Sequence, residues 1–297
     1  MHVDLVYGKP GSGKSVLTNM IALSSILDKE IKNIPKIAII DVGPSFNGTI
    51  ELIKNLLPKE NSNIIKSVNY GNYGKVDNVD SFHVNPFDLA FGKRVYDEDE
   101  IERIKPILLS LFANSNDVLE MFIDDILKNI NLLTSKFYVP NMHVEIDKKL
   151  IDLVFIFRKD TTWWDVVDFL FLNQEVFLAK KAQTYTSVVL GDLLNLTNIN
   201  REYYQKVFFN DNNIIDSFNK TIIDTINLCP KLNMPSNLII EDEKIIAINL
   251  EDLASSMFKI NNKNIIPYIY LSVLDFIKHK FLQYNQYSWK NNWTEYL

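Results

Sequence analysis

Residues 7–16, YGKPGSGKSV, hold the clearest chemistry in the chain. Gly8, then Gly13, Lys14 and Ser15 after four intervening residues, satisfy G-x-x-x-x-G-K-[ST], a loop whose backbone amides wrap phosphate oxygens. Gly8, Gly11 and Gly13 let the main chain approach those oxygens closely. Lys14 supplies a point charge for β- and γ-phosphates and is the candidate catalytic residue, while the Ser15 hydroxyl is the candidate Mg²⁺ ligand. Pro10, Ser12 and Val16 complete the candidate nucleotide-contact set. The implied ligands are ATP and Mg²⁺.

Such a loop needs a strand before it and a helix after it. Val3–Tyr7 is a short strand-like run, and KSVLTNMIALSSIL carries apolar residues at helical spacing, with the partial positive charge of its N-terminus beside the anion site. KIAIID, residues 36–41, is the near-continuous apolar run of a parallel strand covered on both faces. This βαβ opening predicts an α/β fold with a mainly parallel sheet and nucleotide at the carboxyl ends of the strands. Asp41 ends one of those strands and joins the candidate binding residues.

Downstream, residues 63–71 predict another strand. From residue 96 to 235 the pattern is helical. Asp97–Glu100 suits a helix N-terminus, Thr161 or Thr162 can cap TTWWDVVDFLFLN, and QEVFLAKKAQTYTSVVLGDLLNLTN reads as one further helix. Trp163 and Trp164 fit a core better than a base-stacking platform. NLIIEDEKIIAINLEDL suggests a hairpin turning at EDEK, and residues 262–287 a long helix with Pro267 near its start. The expected organisation is therefore residues 1–95 as the first part of an α/β core, 96–235 as an inserted helical subdomain, and 236–297 as the return to the core.

The 297 residues, 47% hydrophobic and 12% aromatic, suffice for a large core. A net charge of −6 and a pI near 5.3 argue against a nucleic-acid partner. Cys229 stands alone, so no internal disulfide can form, and a buried structural thiol is expected. No apolar run reaches the roughly 18 residues of a membrane span, so direct membrane insertion is not expected. The four histidines are scattered without metal-ligand spacing.

Hydrolysis also calls for an acidic residue at the end of an apolar strand to hold the metal's water shell. Asp41 has the right form but comes early in the chain. Glu241–Glu243 has it too, but a new strand at once follows, which favours a structural role.

GKPGSGKSVLTN, IAIIDVGPSFNGTIELIK and HVNPFDL together resemble the type IV secretion and conjugation ATPases, in particular the IcmB/DotO ATPases of Dot/Icm (type IVB) systems. The resemblance implies a RecA-like P-loop NTPase core and an ATPase that energises protein export. In full-length form it implies a homo-hexamer, cytoplasmic and peripheral to the bacterial inner membrane, docked on other secretion-system components. It carries Gly8, Gly11, Ser12, Gly13, Lys14 and Ser15 over as phosphate and Mg²⁺ contacts, gives Asp41 an indirect or switch-like role, and makes Asn85, Pro86 and Phe87 structural. In that family the metal-holding acidic strand follows the helix equivalent to residues 264–284. The chain is therefore expected to be a central piece, cut before that strand, which binds ATP without necessarily hydrolysing it. A non-hydrolytic docking module and a DNA translocase are the alternatives.

Overall fold

The computed structural model describes residues 13–27, 34–41, 46–58, 63–69, 82–112, 116–134, 161–208, 213–241, 243–250 and 264–282. Two compact units emerge. The first comprises Met1–Phe82, Ile240–Asn261 and Ile277–Tyr284; the second comprises His83–Ile239, Asn262–Phe276 and Asn285–Leu297.

Aliphatic β-branched runs build the first unit. Helix α1 (Lys14–Leu27) precedes strand β1 (Ile37–Asp41), helix α2 (Asn47–Leu56) and strand β2 (Ile65–Asn69), and the sheet is completed by β3 (Ile245–Asn249) from far along the chain. β3 lies between β1 and β2 and pairs with both in parallel. Backbone bonds extend the ladders at both ends, from Ile37 N–H to Lys244 O (2.8 Å) and from Leu250 N–H to Asp41 O (2.7 Å). On one face Ile37, Ile39, Ile65, Ile245 and Ala247 pack with Ala22 and Ile26 of α1 and Ile50 and Ile53 of α2. Near the start of β1, the Lys36 ammonium donates to Phe281 O at 2.8 Å in the π-helical turn Ile277–Leu282 and sits over the Phe281 ring. A cation satisfying a carbonyl at a helix C-terminus complements the helix dipole.

The hairpin expected within residues 238–249 does not form. Residues 238–240 are not a strand, and β3 is the central strand of a parallel sheet. Ile245 and Ile246 are wholly buried, so IIAI is apolar because both faces of β3 are covered. Glu243 fixes the approach to this strand. Its Oε2 accepts from Glu241 N–H at 2.6 Å, and its Oε1 pairs with Lys66 Nζ at 2.9 Å.

The second unit is helical: α3 (Glu98–Leu109), α4 (Asp117–Lys128), α5 (Asn131–Thr134), α6 (Trp163–Leu172), α7 (Val176–Thr184), α8 (Asp192–Ile199), α9 (Arg201–Val207), α10 (Ile214–Leu228) and α11 (Ile265–Phe276). The starts are written in side chains. Asp97 accepts from Glu100 N–H, Asn116 from Leu119 N–H, and Thr162 forms a capping box with Asp165. The single helix expected over QEVFLAKKAQTYTSVVLGDLLNLTN is two, α7 and α8. Gly191 lies at the break, where its N–H donates to Asn233 Oδ1 at 2.6 Å and an added Cβ would stand 2.7 Å from that same oxygen.

HVNPFDL becomes the irregular spine of this unit. Asn85 donates from Nδ2 to Val188 O (2.8 Å) and accepts from Phe87 N–H, while its own N–H reaches Ser236 Oγ (2.7 Å). Arg103, almost buried, donates to the carbonyls of Pro86 and Asp88 and pairs with Glu100 and Asp275. Gln183 ties down Gly92 N–H and Ala90 O. Trp163 is fully buried and stacks on Tyr185 with ring centroids 4.6 Å apart. His83 donates through Nε2 to Pro235 O at 2.7 Å as the neutral ring.

Burial, reinforced by nearby Lys231, holds the His83 pKa down at about 4 against an ordinary 6.5. A depressed histidine pKa means that the folded form excludes a proton the unfolded chain accepts. This contribution is complete above pH 6.5 and is lost as pH falls towards 4, on the order of 3 kcal/mol in all. Chemical denaturation from pH 7 to 4 should show that slope, and His83→Gln should flatten it. Asn85→Ala, which strands the Val188 carbonyl and the Phe87 amide in the interior, should cost about 2 kcal/mol in the same assay.

Candidate nucleotide site

Gly8, Pro10, Gly11 and Ser12 lie outside the described residues. The description begins at Gly13, whose φ of 81° is in the left-handed region that only glycine enters freely. Its carbonyl accepts the first helical bond from Leu17 N–H at 3.0 Å, so α1 opens at Lys14 directly after this turn. Ser15 and Val16 are exposed in the first turn.

The sheet supplies the other half of the site. Residues in register on parallel strands point to the same face. On the face covered by α1 and α2, the first row reads Ile37, Ile245, Ile65 and the second Ile39, Ala247, Ser67. The third row, at the carboxyl edge, reads Asp41, Asn249, Asn69. Apolar surface thus gives way to a row of carboxylate and carboxamides within one strand length.

Ala22 and Ile26 of α1 belong to the core that also holds Ile34, Ile39, Ile64, Ile65, Ile245 and Ala247. An anion at the N-terminus of α1 would meet unpaired first-turn amides and the positive end of the helix dipole.

Asn249 and Asn69 escaped the sequence reading, which stopped at Asp41. The available signal was that IAIID, IKSVN and IIAIN each close an apolar run with Asp or Asn. Only the register reveals that the three ends form one row.

Other candidates have structural roles. Glu243 pairs with Lys66. Cys229 is buried, and burial pushes its thiol pKa up to about 12, so it stays protonated and unreactive. Arg94 pairs with Asp168 and lies over the Trp164 ring, and Arg201 pairs with Asp216. Among the described residues no group of His, Cys, Asp and Glu could hold a metal, and no helix is long and apolar enough to cross a membrane.

Residues 2–147 match the family model of the TraG P-loop domain. The candidate loop, α1 and β1 fall inside that match. The chain is also similar in structure to VirB4 of Thermoanaerobacter pseudethanolicus, at a TM-score of 0.56 and 12% identity. The likeness covers 93% of this chain and 55% of that one, so the chain spans about half the length of the protein it matches. No curated protein matches it in sequence. At this identity the likeness establishes fold: a RecA-like α/β core with a parallel sheet. The family-model match takes in just under half of the chain.

Gly13→Ala should cost about 1–2 kcal/mol in chemical denaturation. Nothing lies within 4 Å of the added Cβ, so the penalty is backbone strain, not collision. Gly13→Asn, which tolerates that φ better, should recover part of it.

Proposed function

We propose that this chain is the ATP-binding domain of a motor that energises protein export through a type IV secretion system, of the kind represented by the IcmB/DotO ATPases of type IVB systems. The observation carrying the proposal is that α1 opens at Gly13–Lys14–Ser15, directly after a glycine at positive φ, within the stretch that matches the TraG P-loop domain.

In this reading the amides around Gly8, Gly11, Ser12 and Gly13 surround the phosphates, with Pro10 and Val16 flanking them. Lys14 places its charge on the β- and γ-phosphates, and the Ser15 hydroxyl is a ligand of Mg²⁺. When bound, that ion neutralises charge developing on the phosphates. Asp41, an acceptor at the edge, suits a water bound to the ion. In this reading hydrolysis and export are the work of a homo-hexamer acting against inner-membrane components.

Calorimetric titration of the chain with ATP and Mg²⁺ should give saturable binding that Lys14→Ala abolishes. An unchanged isotherm in that variant refutes the site. Phosphate release by the purified chain separates a competent ATPase from a module that binds nucleotide without hydrolysing it.

A further inference from the structure

We infer that the seam between α4 and α9, in the second unit, is a docking surface for a basic amphipathic helix of a partner protein. The inference is independent of the nucleotide reading.

Helix α4 buries Leu119, Phe122, Ile123, Ile126 and Leu127, and that periodicity turns its other face to solvent. Polar side chains belong there, yet Val118 and Met121 stand on it, one turn apart. Helix α9 repeats the pattern: Tyr204 is buried, while Tyr203 and Val207, four residues apart on one face, are not. These four apolar or aromatic side chains are between 37% and 63% exposed.

The two stripes adjoin. The Tyr203 hydroxyl donates to Asp125 Oδ1 at 3.4 Å, and Asp125 lies one turn beyond Met121 on α4. At the other end the Phe122 and Phe208 rings meet edge to face with centroids 5.2 Å apart. Met121 and Val207 are the exposed chain neighbours of those two rings. As α4 advances from Phe122 to Asp125, its contact on α9 moves back from Phe208 to Tyr203, so the two stripes run antiparallel, side by side. Single exposed apolar residues need no explanation, but a seam of them across two adjoining helices has the make-up of a surface that receives a third helix.

The rim decides what that helix carries. Asp117 and Glu120 on α4 and Glu202 on α9 are exposed and enter no ion pair among the described residues. Lys206 stands beside them, and Lys128 is already bound to Asp124. Asp125, half-buried within the seam, has only the long bond from Tyr203 on Oδ1, so a lysine or arginine of the partner can give it a charge-assisted donor. A second copy of this chain fits worse. Two-fold pairing of the seam with itself would set carboxylates against carboxylates, in a chain whose net charge is −6.

The test is fluorescence anisotropy of the full chain with a labelled peptide of about 15 residues, made of leucine and lysine so that its helix has one leucine face. Binding should be saturable, and Met121→Ser should weaken it about tenfold. Glu120→Lys combined with Glu202→Lys should weaken it at least as much, and should create binding for the same peptide with glutamate in place of lysine, a gain that loss of folding does not explain. The same charge change at Glu51 and Glu175, exposed residues outside the seam, should leave the lysine peptide bound as in the wild type. Equal losses in the two double variants, or equally tight binding of a peptide of the same composition with its leucines scattered around the helix, reveals attraction to acidic surface in general and overturns the inference. A chain that sediments as a dimer, and that Met121→Ser returns to monomer, assigns the seam to a second copy and overturns it as well.

Discussion

The first unit depends on one constraint: β3 must lie between β1 and β2. Its backbone groups bond to both neighbours, and its side chains are closed in on both faces, so the strand that arrives last in sequence occupies the most buried place. About two hundred residues separate β1 from β3, and ordering that pairing costs loop-closure entropy that grows only slowly with length. Burying four consecutive aliphatic or alanine side chains offsets it. The same arrangement aligns the strand ends, which is what produces the row Asp41, Asn249, Asn69.

Helix α1 seats Ala22 and Ile26 in the core beside the sheet, while Val16, Leu17, Met20 and Ile21 of its amino half are exposed. A helix end and a polar strand edge contribute differently to anion binding. A helix end without polar side chains nearby is a general anion site, and a polar strand edge without a helix end has no strong attraction for phosphate.

The second unit is held by a different logic. Residues 83–92 make no regular ladder, so backbone groups there are satisfied one at a time by the side chains of Asn85, Gln183, Arg103, Tyr96, Ser236 and Asn237. Buried backbone polar groups must find partners, and a non-repeating segment has to recruit side chains for the purpose. This explains why HVNPFDL is dense in specific residue types: they satisfy the backbone of an irregular segment.

By itself the sequence determined the α/β class, α1, β1 and β2 and the starts of α3 and α6, because these follow from local rules: caps three residues ahead of an amide and apolar spacing. It could not separate a central parallel strand from half of a hairpin, since both read as a short apolar run beside a polar turn. Nor did it separate α7, ending at Thr184, from α8, whose start at Gly191 is held by the distant Asn233 side chain. The polar row was written at the ends of three strands, yet its members are distant in sequence. Only tertiary pairing brought them together, because strand register is fixed by the burial of whole faces and not by any residue's neighbours along the chain.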